Sequence, residues 1–268
     1  MIDRLLISAA FALAILPGFA PAQEYDDLAH IDLLPGWRTA DGDHIAALRI
    51  TLLPGWVTYW RAPGDAGIPP LLNFQGDGQI HSITPRWPTP KVFGDDGMLS
   101  IGYYDGVIVP LEVALDESAG TVAVSGEITI GVCEEICIPV SMRFDSLLPA
   151  QGAHDATISA ALSQQPISAA DGGVGDVVCT VAPMADGLRV SALIDVPQRI
   201  ASEHVVIETP DPRVWVSEAE VSRDGGKLSA TVEMVHPTGD PFALDRSQLR
   251  ITVLGGGPAI DIRGCSAG

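Results

Sequence analysis

The sequence predicts an all-β protein with two β-sandwich domains in tandem behind a cleaved signal peptide. Three observations carry this. Short apolar runs alternate with a two-residue period along most of the 268 residues, the mark of half-buried strands. Clusters of Gly, Pro and Asp separate those runs, as the turns of a sandwich do. The turn-forming stretch Asp171-Gly172-Gly173-Val174-Gly175 divides the pattern into two halves.

Residues 1–22 read as the export signal. Arg4 opens it, Leu5 to Leu16 is apolar, Pro17-Gly18 breaks the run, and Ala20-Pro21-Ala22 fits small-residue cleavage before Gln23. Its removal leaves about 246 residues, room for one large or two ordinary domains. No later stretch reaches the ~18–20 apolar residues of a membrane span. The expected product is exported and soluble, in a compartment where disulfides persist. Net charge is −19, from 15 Lys and Arg against 34 Asp and Glu. Such acidity repels phosphate backbones and argues against nucleic acid as a partner. It serves solubility and favours basic partner surfaces.

The first domain is expected over residues 28–150. His44 to Leu52 reads as a strand, and Leu53 to Pro70 sets aromatic residues among turn-formers. Pro85, Pro88 and Pro90 exclude both a helix and a central strand around Trp87. Gly94 to Gly97 is a loop tip. Ile101 to Leu115 returns to strand character, with a break expected at Pro110.

Two alternating runs then flank a cysteine pair. Val122, Val124, Ile128, Ile130 and Val132 precede it at even positions, interrupted by Gly126, and Ile138, Val140, Met142 and Phe144 follow. Between them lies Cys133-Glu134-Glu135-Ile136-Cys137, so the two cysteines belong at the junction of an antiparallel hairpin. A disulfide closing so short a loop stabilises by only ~2 kcal/mol, against ~4–5 for a loop of about 85 residues. As a staple it is inefficient; as a dithiol that opens and closes it has a use. Spacing alone leaves a redox pair and a hairpin clasp both open, since C-x3-C is not the thioredoxin C-x-x-C.

Residues 151–175 read as a linker with a short helix, Thr157 to Gln165, capped by Asp155. The second sandwich spans 176–268, with strands expected at 177–181, 188–194, 205–209, 214–221, 228–234 and 248–253. Cys179 lies on the first of these and Cys265 beyond the last, placed to close the domain with a structural disulfide.

Four ordered blocks carry a resemblance to a known family. Pro54-Gly55-Trp56-Val57-Thr58-Tyr59-Trp60-Arg61-Ala62-Pro63-Gly64-Asp65-Ala66-Gly67 is similar to a PGWHTYWxNPGDxG segment. Trp87-Pro88-Thr89-Pro90 with Phe93, then Gly102-Tyr103 with Val109-Pro110-Leu111, and finally the cysteine hairpin, follow in order. Together they resemble the periplasmic N-terminal region of DsbD-like thiol:disulfide interchange proteins, in the ScsB-like branch linked to copper tolerance. The resemblance implies immunoglobulin-like sandwiches and a periplasmic location. It further implies a redox pair at Cys133 and Cys137, with Cys137 forming the mixed disulfide. Phe93 matches an aromatic cap that shields the sulfurs, Tyr59 an aromatic beside them, and Tyr103 a second such candidate. Electrons would come from a thioredoxin-like or membrane donor on a separate chain and pass to oxidised periplasmic proteins. No cofactor is implied.

Glu134 and Glu135 disfavour a thiolate, so thiol pKa values at or above the free ~8.5 are expected unless both carboxylates face away. Two rival readings stand beside exchange. One is an assembly module whose two disulfides are structural. The other is a Cu(I) module using Cys133, Cys137 and Met142. The six His show no metal-ligand spacing, and no metal site is assigned.

Overall fold

The computed structural model describes residues 28–94, 99–199, 202–239 and 242–268, which form four sheets in two β-rich bodies. The expected signal peptide falls outside the described residues. The first body contains β1 (Ala29–Arg38), β2 (His44–Leu52), β3 (Val57–Tyr59), β4 (Leu71–Gly76), β5 (Ile80–Pro85), β6 (Lys91–Phe93), β7 (Ser100–Tyr104), β8 (Gly106–Leu115), β9 (Val122–Cys133) and β10 (Cys137–Leu148). One sheet runs β1-β2-β8-β5; the other runs β10-β9-β3-β7-β6, with β4 also on β9. Their facing sides bury Leu48, Leu111 and Val113 against Ile128, Ile130 and Val132.

Alternation fixes which side of the second sheet each residue takes. Even positions of β9 and β10 face the core; odd positions of β10 are exposed. Gly126, which interrupts the apolar series, is the hollow that receives the Phe144 ring: a Cβ there would lie 2.7 Å from that ring.

The break expected at Pro110 falls instead at Asp105-Gly106, where φ is +60° and +128°. Pro110 lies inside β8, opposite Ala47. Its carbonyl accepts from Arg86 N at 2.7 Å, just past the end of β5. In a strand the N of a residue points to the same side as its carbonyl. The missing N–H therefore faces a position where the ladder has already ended, and the proline is tolerated. Asp105 carries the crossing between sheets: its N donates to Trp56 O at 2.9 Å and its carboxylate accepts from Gly55 N at 2.7 Å.

After the first body comes α1 (Ala156–Ser163), whose N-cap Asp155 accepts from Thr157 N and Ile158 N. The second body follows with β11 (Ile167–Ser168), β12 (Val177–Pro183), β13 (Leu188–Asp195), β14 (His204–Glu208), β15 (Trp215–Val216), β16 (Glu220–Asp224), β17 (Lys227–Val235), β18 (Arg250–Leu254), β19 (Ile260–Arg263) and β20 (Ser266–Ala267). Its sheets run β11-β19-β18-β14 and β15-β17-β13-β12-β20, with β16 also on β17. The 214–221 run is two strands rather than one, and β19 and β20 lie beyond the last strand expected. Cys179 and Cys265 are disulfide-bonded.

Candidate redox site

Cys133 and Cys137 face each other across the β9–β10 register and are disulfide-bonded, with Glu134, Glu135 and Ile136 as the tip between them. The two sulfurs differ in access. Cys133 is 3% exposed, paired on its other side with Val57 of β3, whereas Cys137 lies open on the edge strand. Glu134 and Glu135 are exposed.

Tyr59 reaches the sulfurs from β3. Its hydroxyl donates to Cys133 Sγ at 3.0 Å and lies 3.2 Å from Cys137 Sγ. The local sequence makes this possible. Gly131 lies beside Tyr59 on the adjoining strand, and a Cβ there would meet two ring carbons at 3.0 Å. The ring crosses the vacant position toward the cysteines. Gly67 and Ile68, in the loop after β3, close over it, leaving Tyr59 4% exposed. Burial raises the Tyr59 phenol above its ordinary value, so the hydroxyl stays protonated and able to donate. A donor aimed at both sulfurs favours a thiolate, opposing the two glutamates.

Residues 31–149 match the family described as thiol:disulfide interchange protein DsbD, N-terminal. This stretch is a DsbD N-terminal domain. Its C-x3-C disulfide is consistent with thiol–disulfide exchange. The chain is also similar to the crystal structure of the N-terminal periplasmic domain of ScsB from Proteus mirabilis, at 22% identity and a TM-score of 0.67. That alignment covers 92% of this chain and 97% of the other, so the likeness in fold extends through the second body. The BspA C-terminal domain of Streptococcus agalactiae aligns with 89% of this chain and 99% of its own at 6% identity, but its TM-score of 0.22 is too low to bear on the fold. No curated protein matches the sequence.

Within the DsbD N-terminal domain, register sorts the remaining expected residues. Phe93, Lys91 and Tyr104 share the face of the sheet that carries Cys133, Cys137 and Tyr59. Phe93 packs against Tyr104 with the rings tilted, at 5.0 Å between centroids, and Lys91 Nζ stands 5.6 Å from the Tyr104 ring. Residues 95–98, which follow Phe93, lie outside the described residues. Tyr103 does not stand beside the pair. One position before Tyr104, it points to the opposite face, is 8% exposed, and donates its hydroxyl to Pro88 O at 2.8 Å. Tyr104 is the residue that sequence reasoning missed; the parity of its neighbours was the available signal.

Met142 also parts from the cysteines. It occupies an even position of β10 and packs against the core, so Cys133, Cys137 and Met142 do not converge on one ion. Among the described residues, no group of three or more His, Cys, Asp or Glu is arranged to hold a metal, and no helix is long and apolar enough to cross a membrane.

Proposed function

We propose that the chain is a periplasmic thiol–disulfide relay working through Cys133 and Cys137. The observation that carries the reading is the asymmetry of the pair: an open Cys137 sulfur bonded to a buried Cys133 sulfur under a tyrosine hydroxyl. A donor thiolate, from a thioredoxin-like or membrane protein on another chain, attacks Cys137 Sγ. The intramolecular S–S bond breaks and Cys133 leaves as a thiolate, accepting the Tyr59 hydrogen bond. The donor's second thiolate then attacks its own sulfur in the mixed disulfide and releases Cys137. Two electrons and two protons have entered, and the donor leaves as a disulfide.

In the second half, the Cys137 thiolate attacks the disulfide of an oxidised periplasmic protein. Cys133 resolves that mixed disulfide, and the client departs as a dithiol. Ile136, 62% exposed at the hairpin tip, and Tyr104, 45% exposed on the same sheet, offer apolar contacts to whichever partner is docked. Phe93, on the Tyr104 ring, acts as the cap between encounters. No cofactor takes part.

The same proposal assigns residues 1–22 to a signal peptide and 28–150 to an immunoglobulin-like redox sandwich. It keeps α1 and its flanks as the linker and assigns the rest of the chain, through residue 268, to a second sandwich of that type; β11, inside the 151–175 stretch expected to be linker, already belongs to that body's sheet. The similarity to a periplasmic domain supports the location.

The test is the reduction potential of the Cys133–Cys137 pair in a Cys179→Ser/Cys265→Ser background, by equilibration in glutathione buffers and mass spectrometry. A value between about −180 and −270 mV is expected. A value below about −300 mV, with no exchange with a thioredoxin-like dithiol, would make the pair a staple.

A further inference from the structure

The sheet that carries the cysteines is backed by two different partners. Beneath β9 and β10 the backing is the first body's other sheet, β1-β2-β8-β5. Beneath β3 and β7 it is a separate apolar cluster, in which Trp60, Trp87, Ile101, Tyr103 and Val109 meet Leu254 and Ala259 of the second body. Trp60 follows Tyr59 directly and is fully buried.

A charged contact stands beside this cluster. Arg61 Nε and Nη2 donate to Glu208 Oε1 and Oε2 at 3.0 and 2.9 Å, and Nη2 also reaches Thr252 Oγ1 at 3.3 Å. The Arg61 guanidinium lies 3.7 Å from the Trp60 ring centroid. The two side chains are 14% and 23% exposed. An ion pair so enclosed is sustained by matched forks, and losing one partner strands the other charge. Ala259 N donates to Thr89 Oγ1 at 3.2 Å, a second polar tie across the same junction.

Three consecutive residues therefore divide the work: Tyr59 touches the sulfurs, Trp60 fills the shared cluster, and Arg61 grips Glu208. We propose that the second body positions the redox site, the Arg61–Glu208 latch and the Trp60 cluster holding β3 where the Tyr59 hydroxyl meets the cysteine sulfurs. Arg61 and Glu208 are positioning residues that act through Tyr59. The inference rests on the exchange reading for its biological meaning, but the coupling it asserts is measurable separately.

The experiment is a double-mutant cycle on the full chain, reading the rate at which dithiothreitol reduces Cys133–Cys137. Glu208→Gln is expected to slow reduction about three- to tenfold with an unchanged circular dichroism spectrum. In a Tyr59→Phe background, Glu208→Gln is expected to have no further effect. The charge swap Arg61→Glu/Glu208→Arg is expected to restore the rate to within about twofold of wild type. An unaltered rate in Glu208→Gln, or the same fold-change with and without the Tyr59 hydroxyl, would overturn the proposal. If Glu208→Gln does not fold, Arg61→Lys, which keeps the charge and loses the fork, takes its place. Dithiothreitol reduces a staple as well as a relay pair, so the cycle judges the latch whatever the potential. A wild-type pair open to dithiothreitol but inert to a thioredoxin-like dithiol would overturn the exchange function alone.

Discussion

The Tyr59 ring lies across Gly131, where a Cβ would sit 3.0 Å from two of its carbons. The nearest side-chain atom to such a Cβ would be Ile68 Cβ at 2.7 Å. Gly131→Ala should therefore displace the ring or the loop above it, costing about 1–3 kcal/mol. Urea unfolding and the rate of disulfide reduction should both register the change. An alanine variant with wild-type values in both would refute the packing argument.

Tyr59→Phe keeps the ring and removes the donor. A hydrogen bond to a charged sulfur contributes about 1.5 kcal/mol or more. Its loss destabilises the departing Cys133 thiolate, so attack at Cys137 should slow about tenfold. The potential of the pair should fall, because the donor favours the reduced form more than the disulfide. Stopped-flow reduction and a glutathione titration read the two effects.

The cysteines should react unequally when separated. In Cys133→Ser the remaining thiol is the open one, and in Cys137→Ser it is the buried one. Labelling of native protein by Ellman's reagent should be at least about tenfold faster in Cys133→Ser. Equal rates would remove the structural basis for assigning attack to Cys137.

His44 should impose a pH dependence on stability. It is fully buried, its Nε2 donates to Pro35 O at 2.5 Å, and its Nδ1 has no partner among the described residues. Burial is the main cause that lowers its pKa below 6.5; nearby Arg38 adds to this and the Pro35 bond opposes it. With the folded value depressed, the unfolded chain takes up the proton first as pH falls. The contribution is complete above 6.5 and is lost as pH drops through the folded value. Melting temperatures at about pH 7.5 and about pH 5.5 should differ less in His44→Gln than in the wild type.

Removing the Cys179–Cys265 bond by a double serine substitution should act on folding alone. Its sequence separation of 86 puts the loop-closure contribution at about 4–5 kcal/mol. Urea denaturation should show that loss. Below the unfolding transition, the exchange rate at Cys133–Cys137 should not change.

The parts of the fold legible in the sequence were those written in local pattern. His44–Leu52 emerges with the bounds its alternation gave, and Asp155 caps its helix. The hairpin closes at Cys133 and Cys137 because the apolar runs on either side share one parity. Pro110 misled because its cost depends on what lies beside it, and the end of β5 is a tertiary fact. Tyr103 entered as a candidate through the resemblance alone, and strand parity places Tyr104 instead on the face of the cysteines. β19 was readable in Ile260-Asp261-Ile262 but is only four residues long. The Arg61–Glu208 pair joins positions 147 apart, and no local pattern announces it.

The ladder between β9 and β10 continues through twelve register pairs, beginning with the cysteines themselves. Opening the S–S bond frees only the three tip residues, a loop-closure change of about 2 kcal/mol, while the rest of the hairpin stays zipped. If the pair exchanges as proposed, electrons would be loaded and unloaded with almost no rearrangement of the frame. A docking partner would then have to tell the loaded form from the spent one by the tip and by the sulfur chemistry rather than by the shape of the surrounding surface.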